Sequence, residues 1–190
     1  DDMIKLFELK NINNSPASFN QEKLEWINQS YIKTTGIEEL VDNLKWHLNQ
    51  LSIDLANGPD INRVVESLRE RSKSLVDMAQ SCVMFYNDFE DFELGQASKV
   101  FNLESKLILD DLYIQLKVLE DWNAENIHSV INNICEIRGV GFGKVGQPFR
   151  LALSGDGKAG SIDISAHFVG KKRTISRLKM AIEWINNLDS

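Results

Sequence analysis

The sequence predicts an all-α fold, and three observations carry that expectation. Apolar residues recur at helical spacing along nearly the whole chain. Capping residues stand at the head of most of these stripes, and no alternating run of strand length competes with them. Only 3 prolines and 11 glycines punctuate 190 residues, so long regular elements are permitted. Asn20 reads as an N-cap, with a staple from Phe19 to Leu24 and an apolar face through Leu24, Ile27 and Tyr31. Thr35-Gly36-Ile37-Glu38 reads as a capping box before Leu40, Val41, Leu44, Leu48 and Leu51. Gly58-Pro59-Asp60 breaks the chain, and Asp60 caps a helix carrying Ile61, Val64, Val65 and Leu68. Further stripes follow at Leu75, Met78, Ala79, Cys82 and Phe85, then at Leu109, Leu112, Leu116 and Leu119. Asn123 caps Ile127, Val130, Ile131 and Ile134, Gly139 ends that helix, and Ile175, Leu178, Ala181, Ile182 and Ile185 make the last stripe. Eight of the glycines fall between Gly139 and Gly170, which predicts a loop-rich insertion there.

Composition narrows the function classes. The chain is 43% hydrophobic and 26% charged, which argues against disorder, and no apolar stretch approaches the roughly 18 residues of a membrane span. Two cysteines, Cys82 and Cys135, make no disulfide framework and point to a reduced cytosolic compartment. The opening Asp1-Asp2-Met3 has no initiator methionine and no basic or apolar leader, so no secretory precursor is expected, and an amphipathic pattern already under way there suggests a fragment of a longer protein. The net charge of −7 disguises an asymmetry: Arg138 to Lys179 carries nine basic residues against Asp156 and Asp163, and the remainder of the chain sums to −14. A basic region on an acidic body can grip an anion in one place and repel it elsewhere. A protein whose last helices merely happen to be lysine-rich reads the same way.

Catalytic motifs are weak. Gly141-Phe142-Gly143-Lys144-Val145-Gly146 matches GxGxxG, but a dinucleotide fingerprint follows a strand, and Asn123 to Arg138 reads as a helix. His47, His128 and His167 lie far apart, with no ligand-spaced partner. Recognition remains. Arg63, Arg69, Arg71 and Lys73 gather near one helix end, and Arg150 sits in a glycine-containing stretch. A guanidinium can stack on a base and bond its edge, or it can make an ordinary helix-surface ion pair with a neighbour such as Glu66 or Glu70.

A resemblance bears on that choice. Met3 to Phe7, Ala17 to Asn28, Glu70 to Leu75, Met78 to Cys82, Asp121 to Asn126, Gly143 to Gly155 and Gly170 to Thr174 resemble, in order, the anticodon-binding region of bacterial glutamyl-tRNA synthetases. The most specific block is Gly143-Lys144-Val145-Gly146-Gln147-Pro148-Phe149-Arg150-Leu151-Ala152-Leu153-Ser154-Gly155. The resemblance implies two consecutive helical bundle subdomains, at 36–84 and 85–190, after the end of a stem-contact region at 1–35. It implies tRNA(Glu) as partner through its anticodon loop, a cytoplasmic monomer, and no membrane or DNA. The full-length family member is a ligase that joins glutamate to tRNA with ATP and Mg. Its catalytic domain has no counterpart here, so no cofactor and no aminoacylation are expected of this region alone.

By family position, Arg71 matches the arginine inspecting the third anticodon base, and as arginine it implies an enzyme that rejects glutamine tRNA. Arg150 matches one beside the first two bases. Lys158, Ala159, Ser161 and Ile162 match the segment against which those bases pack. Lys144, Lys171 and Arg173, together with Arg150 and Lys158, are expected at phosphate. The competing reading from composition is a helical protein–protein adaptor without RNA binding, favoured by the acidic pI near 5.0. A small-molecule enzyme would need a polar pocket lined by perturbed titratable groups.

Overall fold

The computed structural model describes residues 2–11 and 18–189; Asp1 and Ala17, which the sequence reading used, lie outside them. Among the described residues there are eleven α-helices and no strand: α1 (Asp2–Leu6), α2 (Gln21–Thr34), α3 (Ile37–Gln50), α4 (Ile61–Leu68), α5 (Leu75–Tyr86), α6 (Leu94–Val100), α7 (Leu103–Val118), α8 (Ala124–Arg138), α9 (Phe142–Ser154), α10 (Ile162–Val169) and α11 (Lys171–Asn186). No helix among them is long and apolar enough to cross a membrane. Helices α3, α4 and α5 pack on one another, α7 meets α8, α9 and α11, and α10 touches α5 as well as α8, α9 and α11. One apolar core runs through both groups, from Leu44, Val64 and Met78 to Leu112, Phe149 and Leu178.

The caps explain where the chain turns. Asn20, Asp60, Ser74 and Asn123 each accept a backbone N–H of the first turn that they precede, supplying a partner that the helix itself lacks. Gly139 ends α8 at φ 63°, a left-handed conformation that glycine adopts without steric cost.

Three expectations need correction. Thr35 forms no capping box: Gly36 is the N-cap of α3 without a side-chain bond, and the Thr35 hydroxyl donates back to the Tyr31 carbonyl. The reciprocal box is found at Asn102 and Ser105, where α7 begins. The predicted apolar face of α2 is exposed at Leu24, Ile27 and Tyr31, and only Ile32 is buried. Polar links fasten that helix instead. Asn28 donates to the Lys73 carbonyl at 2.6 Å and Gln29 to that of Glu70 at 3.3 Å. Arg69 donates to the closing carbonyls Ile32, Lys33 and Thr35.

The glycine-rich stretch, finally, is not a loop-rich insertion, because α9 and α10 run through it. Gly146 lies inside α9, where an added Cβ would stand 3.3 Å from Ile162 Cδ1, so its missing side chain permits the close approach of α10. The glycine count signals tight helix packing here as much as turns.

Candidate nucleic-acid interface

The basic residues separate once their partners are known. Of the nine between Arg138 and Lys179, most are neutralised by carboxylates. Arg138 pairs with Asp111 at 2.5 Å, Lys144 with Glu104 at 3.1 Å, Lys158 with Asp156 at 3.2 Å and Lys179 with Glu183 at 3.5 Å. Arg173 and Arg177 share Asp88 at 2.8 and 3.2 Å. Much of the charge asymmetry along the sequence is thus offset in space by carboxylates.

Two residues expected at phosphate are committed to the fold. Lys171 Nζ donates at 2.6 Å to the carbonyl of Leu119, where a cation complements the C-terminal end of α7. Arg173 donates to the Phe85 carbonyl at 2.6 Å as well as to Asp88. Lys144 is exposed despite its carboxylate partner, so it remains reachable.

Arg71 behaves differently from its neighbours. Arg69 ties α4 to α2, Arg63 lies over the Phe168 ring at 5.9 Å, and Lys73 pairs with Glu25 at 3.2 Å. Arg71 is exposed, and among the described residues its side chain has no hydrogen bond or carboxylate partner. The surface ion pair that could have explained it does form beside it, between Arg69 and Glu66 at 3.1 Å.

The Arg71 side chain reaches the turn between α9 and α10. A Cβ on Gly160 would stand 3.0 Å from its Nη1. From the other side Arg150 approaches the same turn, donating through Nε to the Ala159 carbonyl at 2.8 Å and through Nη2 to that of Gly160 at 3.4 Å. Local bonds stiffen the turn: Gly157 N–H donates to Ser154 Oγ, and Lys158 N–H to Asp156 Oδ1. Gly155 opens it at φ 76°, its N–H returning to Leu151.

A cavity of about 750 Å³ lies beside the turn, between α5 and α9, with Met84, Asp88, Phe89, Arg150, Lys158 and Ala159 among its walls. A smaller one of about 190 Å³, lined by Arg71, Lys158 and Gly160 among others, adjoins it across Asp77, Ser81, Met84 and Lys158. Ser161 and Ile162 do not face either. Ser161 is the N-cap of α10, and Ile162 is 1% exposed, buried against α9, so that its position in the core removes it from any base.

The far wall is held by a residue that the sequence reading counted only as one of the basic nine. Arg177 on α11 is buried, yet it donates to the carbonyls of Met84 (2.9 Å), Leu153 (2.6 Å) and Asn87 (2.9 Å) and to Asp88. Its guanidinium also lies over Phe89 at 5.0 Å. Burial first, and the charge of Arg173 second, pull its pKa down to about 10 against the help of Asp88, which leaves it protonated at neutral pH. Cys82 is inert by contrast: burial pushes its thiol up to about 12.

Arginines from two helix groups thus meet at one turn beside a cavity, and a guanidinium can stack on an unstacked base and bond its edge. The chain belongs to the anticodon-binding domain family, whose model matches residues 39–182. It is 51% identical over 183 residues to the glutamate–tRNA ligase of Ruthia magnifica subsp. Calyptogena magnifica, a match covering 96% of this chain and 40% of that protein. It is 50% identical over 182 residues to the glutamate–tRNA ligase of Vesicomyosocius okutanii subsp. Calyptogena okutanii, with the same coverage of 96% and 40%. Among solved structures it is similar to a glutamate–tRNA ligase from Elizabethkingia meningosepticum crystallised in complex with its amino acid. The TM-score is 0.79 and the identity 28%, over 96% of this chain and 36% of that one. The glutamate–tRNA synthetase of Elizabethkingia anophelis gives a TM-score of 0.73 and 29% identity, over 95% and 35%. The chain therefore spans about 40% of the length of these curated relatives.

Proposed function

We propose that this chain reads the anticodon loop of tRNA(Glu) as part of a ligase that attaches glutamate to that tRNA with ATP and Mg. The observation that carries the reading is the meeting of Arg71 and Arg150 at the Lys158–Gly160 turn, with Arg71 left unpaired while its basic neighbours are bonded inside the fold. Arg71 inspects the third base. Arg150 holds the turn beside the first two, Lys158 and Ala159 wall their cavity, and Lys144 and Lys158 meet phosphate. This reading assigns ATP and Mg to the rest of the ligase. The same reading takes the protein as a cytoplasmic monomer, with residues 1–35 contacting the tRNA stem and the two helical subdomains at 36–84 and 85–190.

Two measurements test it. Binding of a tRNA(Glu) anticodon stem-loop should weaken with salt, log K falling by roughly 0.7 per released phosphate contact for single strands. With Lys171 and Arg173 committed elsewhere, the slope should correspond to two or three contacts; a flat profile would refute an RNA interface. The second is base discrimination by Arg71. Cytosine offers acceptors at O2 and N3, whereas guanine turns N1–H and N2–H donors to the same edge, so a donor-only guanidinium favours the first by about 1–3 kcal/mol. Arg71→Gln, able to donate and accept, should narrow the preference for a third-position cytosine over guanine. Gly160→Ala should narrow it as well, because its new methyl group displaces only the free end of Arg71, leaving stability within about 0.5 kcal/mol. Equal weakening of both loops by Arg71→Gln would remove Arg71 from the site.

A further inference from the structure

Asp88 lines the large cavity and is well exposed, yet it is held by two arginines 85 and 89 positions away in the chain. Each of those hydrogen bonds, from Arg173 Nε at 2.9 Å and from Arg177 Nη2 at 3.2 Å, ends on Oδ1. The clamp accounts for Oδ1 and leaves Oδ2 without a donor among the described residues. The other two carboxylates of the cavity are engaged locally: Asp77 Oδ2 accepts the Lys73 N–H, and Asp156 takes both the N–H and the Nζ of Lys158.

We propose that Asp88 is a base-reading residue, its Oδ2 accepting the exocyclic amine of a cytosine in the anticodon loop; this rests on the RNA-reading function proposed above. A carboxylate oxygen only accepts and repels phosphate, so the group that settles against it must present an N–H or O–H donor. Burial raises the Asp88 pKa, but the bonds and charges of Arg173 and Arg177 outweigh it and hold the carboxyl below its ordinary range, so it stays an acceptor at neutral pH. Cytosine carries an amine at the ring position where uracil carries a carbonyl. The two pyrimidines are nearly equal in size and differ in what Asp88 can bond.

That contrast supplies the test. Stem-loops with cytidine or uridine at each of the three anticodon positions are titrated against the 190-residue wild type, Asp88→Asn, Asp88→Glu and Arg71→Gln. In Asp88→Asn the amide carbonyl is retained by the arginines, and an NH₂ donor replaces Oδ2. At one position the wild type should prefer cytidine by about tenfold or more, Asp88→Asn should abolish or reverse that preference, and Asp88→Glu should keep it. Unchanged ratios, or uniform weakening at every position, would make Asp88 a purely structural residue and overturn the proposal. If Asp88→Asn switches while Arg71→Gln leaves the third position untouched, the role of Arg71 fails and that of Asp88 stands. Failure of the wild type to bind any loop overturns both. Thermal unfolding of each variant identifies loss of fold, and should Asp88→Asn not fold, a lost cytidine preference in folded Asp88→Glu would count against the proposal.

Discussion

Arg177→Met is expected to destabilise the fold by about 2–4 kcal/mol and to lower its unfolding temperature by about 10 °C. Methionine fills most of the volume, so what is lost is donors. Three carbonyls, of Met84, Leu153 and Asn87, lose their charged partner, and an unsatisfied buried acceptor costs about 1–3 kcal/mol. The burial that depresses the Arg177 pKa runs the other way, since removing a desolvated charge returns part of that cost. The carbonyls decide the sign because there are three of them and they close two helices: Met84 and Asn87 mark the end of α5, and Leu153 that of α9. Anticodon affinity should fall with stability, although Arg177 does not line the cavity, because Met84, Asn87, Asp88 and Phe89 form its wall. A denaturant titration measures the first effect. Stability equal to wild type would mean that water from the cavity replaces the guanidinium.

Arg150→Ala is expected to weaken anticodon binding by more than Arg71→Gln does, with a smaller loss of stability than at Arg177. The carbonyls of Ala159 and Gly160 lose their donor, and the turn carrying Lys158 is released from α9. These acceptors are only partly buried, so water returns much of the bond, and a cost of about 1 kcal/mol is expected. Arg150→Lys separates the two contributions. It keeps the charge but has no planar fork for two neighbouring carbonyls. If lysine restores binding, charge is what Arg150 supplies; if it behaves like alanine, the geometry of the turn is what matters. Stem-loop titrations of the two variants beside thermal unfolding decide between them.

The helices were legible because their signals are local. Asn20, Asp60 and Asn123 are read within three residues of the groups that they cap, and the stripe from Leu109 to Leu116 is buried as its spacing predicts. Signals that depend on a distant partner misled. The α2 stripe looks like a core face, but Arg69 and the backbone carbonyls of Glu70 and Lys73 fasten that helix by polar bonds. The basic run from Arg138 to Lys179 looks like an RNA surface until Asp88, Glu104 and Asp111, all upstream of it, are seen to neutralise much of it. At the site, Arg71 and Arg150 were reached through a family resemblance, since spacing alone left Arg71 indistinguishable from Arg69. Asp88 carried no signal at all: the arginines that orient it lie on the last long helix, and no window along the chain contains both.

The Lys158–Gly160 turn bears on how errors combine. Arg150 bonds it from one helix group, and Arg71 packs against it from the other. Residues that share one support do not act independently, and their energies fail to add. Under the proposed function, a wrong base that pushed Arg71 away would move the same backbone that Arg150 holds. A loop wrong at two positions should then be penalised by a different amount from the sum of its single errors. Fidelity would in that case belong to the triplet, read through a common hinge, and a table of single-base substitutions would misstate how well this domain rejects a doubly mismatched tRNA.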